Sequence, residues 1–225
     1  MERRPTRGDS ILAAVRDDIL NGRLEPGTQL AFAELGRRYG ASTGVLREVL
    51  PRLVEQGLAT TQPQLGYRVV TLSLQELRHL TEARVALEGL VFQQSIRNGD
   101  LDWEAAVVGS HHRLTQLPTF DDAGSLSHTW AAEHRRFHEI LLASCPNPRL
   151  REVASRLRDA SEVYRCWSAL NTEHISQRDD EHQRLATFAV NRDVEQACQA
   201  LREHIERTTE LLIQTQTQDA TQPVH

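Results

Sequence analysis

From Ser73 to about residue 214 the apolar residues recur with a helical period, and the breaks between periodic stretches are short. They fall at Asn98-Gly99-Asp100, Pro118 to Gly124, Pro146-Asn147-Pro148, Asn171 to Ile175 and Asn191-Arg192-Asp193. The pattern predicts helices over about 74–97, 102–116, 125–144, 148–170, 176–190 and 193–214. Short connections turn consecutive helices antiparallel, so this region reads as an all-α bundle of six or seven helices. Ser73-Leu74-Gln75-Glu76 fits a capping box that opens the first of them. The closing TQTQDATQPVH is polar and is expected to fray.

The first seventy residues are punctuated differently. Ile11, Leu12, Val15, Ile19 and Leu20 share one helical face over 11–20, and Asn21-Gly22 ends that helix. Pro26-Gly27 marks a turn, and a short helix over about 31–39 stops at Gly40. Ser42 is placed to cap a third helix, about 43–56, closed by Gly57. Two short helices around Gly40-Ala41-Ser42 fit a helix-turn-helix. Leu58–Thr61 and Tyr67–Thr71 then read as two strands of a hairpin wing. The expected architecture is therefore mainly α: a winged helix-turn-helix over 1–72, a helical bundle over 73–215 and a polar tail over 216–225.

Bulk properties narrow the function. Mean hydropathy is −0.48, and no apolar run approaches the ~18–20 residues of a membrane span. The start MERRPTRGDS is not followed by an apolar stretch, so no secretory signal is read there and a cytoplasmic protein is expected. Cys145, Cys166 and Cys198 are odd in number and far apart, which suits reduced thiols rather than a disulfide framework or a CxxC metal site. There is no lysine; residues 1–72 carry a formal +2 and residues 73–225 a formal −7. A mildly basic module on an acidic remainder suits nucleic-acid binding by the first part alone.

Four histidines carry the chemistry of the second part. His134 and His138 lie four apart in AAEHRRFHEILL, hence on one helix face. His182 and His204 fall on two later helices, so three helices can aim four imidazoles at one interior point. Neutral imidazole ligates zinc, nickel, copper or iron. The chain holds ten histidines, so the alternative is that these pack or face solvent separately. His111, His112, His128, His174 and His225 fall outside the pattern and are expected at the surface; Trp103, Trp130 and Trp167 are expected in the core.

The N-terminal residues Gly22-x-x-x-Pro26-Gly27, Leu35, Gly40, Ser42, Leu46-Arg47-Glu48-x-Leu50, Leu53, Glu55-x-Gly57-Leu58, Gly66 and Val69 make this module resemble the DNA-binding domain of the GntR family of bacterial transcription regulators. The resemblance implies that the third helix enters the major groove and that the wing tip touches the minor groove. It places DNA contacts at Ser42, Thr43 and Arg47 and at the wing backbone near Gly66, with Arg37 and Arg38 approaching phosphates or forming a solvated helix face. The chain departs from the family pattern: Thr43-Gly44-Val45-Leu46 stands where Arg-Thr-Pro-Val is usual, and Ala33 where a further arginine is frequent. An arginine that would read guanine bidentately is thus missing. Gly44 weakens the helix start by ~1 kcal/mol relative to alanine, and Pro51 is expected to kink the recognition helix.

The second part, through Arg84, Glu88, Phe137-His138, Asn147, Glu181-His182, Asp193, Ala197 and His204, resembles the FCD ligand-binding domain of the FadR branch of that family. Many members hold a divalent metal through an Asp-x3-His pair and two further histidines. By that resemblance His138, His182 and His204 are ligands, and His134 stands at the aspartate position. A more nitrogen-rich shell favours zinc, with nickel or copper as alternatives, over manganese. Glu133 is one residue away but points about 100° around the helix. Arg84 is the candidate clamp for a small carboxylate effector, because a guanidinium fork suits carboxylates; the alternative is an i,i+4 ion pair with Glu88. The expectation is a homodimeric regulator, a repressor, binding double-stranded operator DNA under control of a small organic acid. A metal-responsive regulator without organic effector is the alternative. A metal-dependent hydrolase fits poorly: His138-Glu139 begins an HExxH motif, but Leu142 stands where its second histidine belongs.

Overall fold

The computed structural model describes residues 6–62, 64–71, 73–121, 126–167 and 175–219. The chain divides into two compact units. The first comprises the described residues up to Leu77 together with Arg156–Trp167, the second those of Arg78–Ser155 and of Ser168–His225.

In the first unit, α1 (Arg7–Leu20) begins earlier than its apolar period. Thr6 accepts from the Asp9 backbone while the Asp9 carboxylate accepts from the Thr6 backbone, a reciprocal cap placed ahead of Ile11. The short helix α2 (Phe32–Tyr39) closes on Gly40, whose φ of 60° is left-handed and costs glycine nothing. Ser42 opens α3 (Thr43–Glu55) by accepting from Val45 N–H at 3.4 Å. α3 continues through Pro51 to Glu55, although proline cannot donate to the carbonyl four residues before it. Strands β1 (Ala59–Gln62) and β2 (Gly66–Val69) pair antiparallel with Ala59 opposite Val69 and Gln62 opposite Gly66, and Gln29 adds a bridge to Arg68. Val15, Ile19, Leu46, Leu50, Leu53 and Val69 are fully buried in the common core.

The bundle is made of α4 (Leu74–Asn98), α5 (Leu101–Thr115), α6 (His128–Leu141), α7 (Pro148–Trp167), α8 (Ile175–Val190) and α9 (Val194–Asp219). The match to the six expected helices is close. α6 is shorter because Ser127 caps it, and Leu142 and Ala143 close it with tighter i→i−3 bonds. α9 runs past residue 214 to Asp219, since no breaker precedes Pro223. Phe92, Ile96, Phe137, Leu185 and Ile205 are fully buried in its core, each contributing about 1.5–3 kcal/mol of burial. Trp103 packs there and donates its indole N–H to the Ile140 carbonyl at 2.8 Å.

α7 is one continuous helix that serves both units. Ala154, in its first half, lies in the bundle core, whereas Val163, in its second half, is fully buried in the core of the helix-turn-helix. In that first unit Asp159 accepts from Arg16 of α1 at 2.6 Å, and the Tyr164 hydroxyl accepts from the Ser73 N–H at 3.4 Å.

Candidate metal centre and nucleic-acid interface

His134 and His138 occupy one stripe of α6 with Trp130, each four residues from the next. Across from them stand His182 of α8 and His204 of α9. All four imidazoles are buried, at 7%, 3%, 1% and 6% exposure in chain order. Taking one ring nitrogen from each, the four atoms lie within 4.8 Å of one another. Ring centroids are 4.7 Å apart for His134–His138, 5.0 Å for His134–His182 and 4.9 Å for His182–His204. Tetrahedral coordination at ~2.0–2.1 Å places nitrogens roughly 3.4 Å apart, so small side-chain adjustments close this set around one ion. Four histidine side chains separately buried for packing alone would have no reason to converge; the donor set fits a divalent transition metal.

The surroundings orient the rings. Trp130 stacks on His134 with centroids 4.8 Å apart and an interplanar angle of 20°. Phe137 sits edge-on to His138 and His182 at 5.4 and 5.5 Å. Glu181 takes the Nδ1 side of His204 at 2.8 Å, and its other oxygen pairs with Arg207 at 3.2 Å. Glu133 is directed elsewhere, to Arg113 at 3.4 Å and Arg136 at 3.8 Å, as its place around the helix implies.

Arg84 forms the i,i+4 pair with Glu88: Nε to Oε1 is 2.7 Å, and both side chains are buried. This bond occupies Nε, one of five guanidinium donors. His111 departs from the surface position expected of it: it is only 9% exposed, with its ring 5.7 Å from Phe137. The signal for its burial is its spacing, four residues after Val107 on the buried stripe of α5. His112 and His128 are exposed, and Trp103 and Trp130 are core. His174, His225 and the side chain of Trp167 lie outside the described residues.

On the helix-turn-helix, Thr43 and Arg47 are exposed on the first turns of α3, and Arg37 is exposed on α2. Ser42 is exposed at the N-cap, so its hydroxyl serves the helix while still facing solvent. Gly66, at φ 81°, begins β2 beside the exposed Leu65. Arg38 is tied inward: its guanidinium bonds the Asp18 carboxylate at 2.6 Å, where the Tyr39 hydroxyl also donates at 2.6 Å. Burial alone would raise the Asp18 pKa. The hydrogen bonds from Tyr39 and Arg23 and the positive charges of Arg23 and Arg38 outweigh it and hold the carboxyl below its ordinary value.

Two family models match this chain. "Bacterial regulatory proteins, gntR family" covers residues 7–69, and "FCD domain" covers residues 79–207. The chain belongs to the GntR family, in its FCD-containing branch. It is 38% identical over 202 residues to the HTH-type transcriptional regulator BphR of Paraburkholderia xenovorans (strain LB400), covering 89% of this chain and 82% of that protein. It is 32% identical over 195 residues to the HTH-type transcriptional repressor GlaR of Escherichia coli (strain K12), covering 85% of this chain and 89% of GlaR. The solved structure of E. coli McbR/YncC superposes with a TM-score of 0.81 at 19% identity, over 93% of this chain and 98% of that one, a likeness of fold. The mainly α architecture with a small two-stranded sheet is therefore that of a GntR regulator, and this FCD-containing chain is a DNA-binding transcriptional regulator, not an enzyme. No helix among the described residues is long and apolar enough to cross a membrane.

Proposed function

We propose that this GntR regulator is a cytoplasmic homodimeric repressor whose operator affinity is set by a divalent metal and a small carboxylate bound in the bundle. The observation that carries this reading is the convergence of His134, His138, His182 and His204, four buried imidazoles with donor atoms within 4.8 Å. Zinc is the first candidate for that donor set, with nickel next. When bound, such an ion acts as a Lewis acid that holds an acid's carboxylate at any open coordination position. Arg84 supplies a second anchor through its remaining guanidinium donors, while Glu88 fixes its direction at 2.7 Å. The repressor sense rests on the likeness to GlaR.

On the DNA side Arg47, Thr43 and Ser42 read the groove, Arg37 approaches phosphates, the backbone at Gly66 carries the wing contact, and Arg38 reaches a phosphate only if it leaves the Asp18 carboxylate that holds it at 2.6 Å. One recognition helix covers a half-site, which is why a dimer is invoked. α7 is suited to transmit the signal, because the same helix lies in the bundle core at Ala154 and in the helix-turn-helix core at Val163. The two arrangements it connects need differ in ligand affinity by only ~1–3 kcal/mol of coupling free energy.

The fourth imidazole favours a second reading, in which the metal itself is the signal. A tetrahedral ion with four protein ligands is closed to an organic acid. Fluorescence anisotropy of operator DNA separates the two readings: the metal-stripped protein is titrated first with zinc or nickel, then with metal plus a panel of carboxylic acids. A response to metal plus acid beyond that to metal alone supports the effector reading. A response complete with metal alone supports the sensor, and no response to either removes both.

A further inference from the structure

We propose that Glu181 is a positioning and charge-compensating residue of the metal centre, acting through His204. The inference rests on reading the four histidines as ligands. A shell of four neutral imidazoles around a divalent ion carries no negative charge of its own. At 1–7% exposure the ligands leave little water to screen the ion, and a buried, uncompensated charge is strongly disfavoured. The Glu181 carboxylate, 2.8 Å from Nδ1 of His204, is placed to supply such compensation.

The geometry assigns the carboxylate's two oxygens different tasks. Oε2 accepts from His204, which puts the ring proton on Nδ1 and leaves the Nε2 lone pair for the metal. Oε1 bonds Arg207 of the same helix as His204, at 3.2 Å. Glu181 is 13% exposed and Arg207 41% exposed, so the arginine's charge is largely met by water while the carboxylate's is directed inward. Arg207 thus tethers the carboxylate without cancelling it. Glu181 precedes His182 in sequence, so α8 supplies one ligand and, from the adjacent position, the group that orients a ligand on α9.

The test uses the full chain, stripped of metal and titrated with zinc in competition with a chromophoric chelator. Glu181→Gln keeps an acceptor for Nδ1–H but removes the charge, and Glu181→Ala removes both. Zinc binding about 10–100-fold weaker in Glu181→Gln is expected, with at least as large a loss in Glu181→Ala. Arg207→Ala is expected to lose only a few-fold. In parallel, 15N NMR of the metal-free proteins reads the His204 tautomer: Nδ1-protonated in the parent and mixed in Glu181→Ala. Zinc affinities within twofold of the parent in both Glu181 variants would overturn the proposal. So would weaker binding that accompanies a lower melting temperature of the metal-free variant while His204 keeps its tautomer, because that marks a purely structural role. A parent chain that binds neither zinc nor nickel fails before any variant is compared, and removes the metal reading itself.

Discussion

The two candidate sites of this regulator place their proposed side chains in opposite environments. Thr43 and Arg47 stand in solvent on a short capped helix, with the hydrophobic side of α3 buried behind them. His134, His138, His182 and His204 are buried together, inside a shell of aromatic rings and a carboxylate. An exposed contact residue adds nothing to the core, so it is free to change with the DNA it reads. A buried imidazole cluster makes stability and ligand binding one quantity, because a metal that binds only the folded chain stabilises it by mass action.

The largest effect expected from that difference is the response to metal removal. At a free zinc concentration a thousandfold above its Kd, the holo-protein is stabilised by ~4 kcal/mol, and chelation should lower its melting temperature by roughly 8–16 °C for a domain of this size. His182→Ala should abolish most of that increment along with the bound metal, as read by elemental analysis and thermal melts with and without chelator. Equal metal content in His182→Ala and parent would show that the centre is elsewhere. Arg47→Ala tests the other half of the contrast. Operator affinity should fall by about 1–3 kcal/mol if Arg47 meets a base edge. If it meets a phosphate, the salt dependence should instead lose about one unit of slope. In either case the melting temperature should hold within roughly 0.5 kcal/mol equivalent. A large stability loss would mean that Arg47 is structural and that the contrast is false.

What the sequence makes legible follows the same division. His134 and His138 can be picked out because helical spacing is a local property, residues four apart sharing a face whatever they face; His182 and His204, on separate helices, join them only through the resemblance to the FCD domain. Three matched positions lead to the expectation that they converge, and their donor atoms lie within 4.8 Å. The Glu181–His204 bond joins residues twenty-three apart on separate helices, and no periodicity encodes which neighbour a carboxylate will reach. α7 shows the same limit at the level of packing. Its sequence displays an apolar face, but the pattern is silent on the fact that Ala154 and Val163 enter different cores. Periodicity places the start of α1 too late because the Thr6–Asp9 cap precedes the first apolar residue of its stripe, and a turn that buries nothing leaves no periodic mark.

Asp18 is the place where the DNA-side module behaves like the bundle: a buried carboxylate held by Arg23, Arg38 and Tyr39. Its folded pKa is depressed, so the stabilisation is fully present above the ordinary carboxylate value of about 3.9 and disappears as pH falls through the lower folded value. Asp18→Asn should cost about 1.5–3 kcal/mol near neutrality, in line with hydrogen bonds to a charged group. The difference between variant and parent in urea unfolding should shrink below about pH 4, once the parent carboxyl protonates. A difference that stays constant across that range would assign the cost to packing rather than to charge.

A smaller stability cost than that at Asp18 bears most directly on how the two regions communicate. The Arg16–Asp159 pair fastens α1 to the second half of α7 at 2.6 Å, with Arg16 26% exposed and Asp159 11% exposed. Asp159→Asn keeps an oxygen that can accept from Arg16 and trades a charge-assisted bond for a neutral one, so it should cost about 1 kcal/mol and lower the melting temperature less than a change at Asp18, which holds two arginines and a tyrosine. If α7 transmits the state of the bundle, loosening its hold on α1 should still reduce the factor by which zinc changes operator affinity, measured as the ratio of anisotropy Kd values with and without metal. Coupling is a difference between two arrangements, and a contact that is weak in both can be strong in that difference. An unchanged ratio would place the transmission outside this contact and leave Val163, fully buried in the helix-turn-helix core, as the firmer grip of α7 on the DNA-binding module.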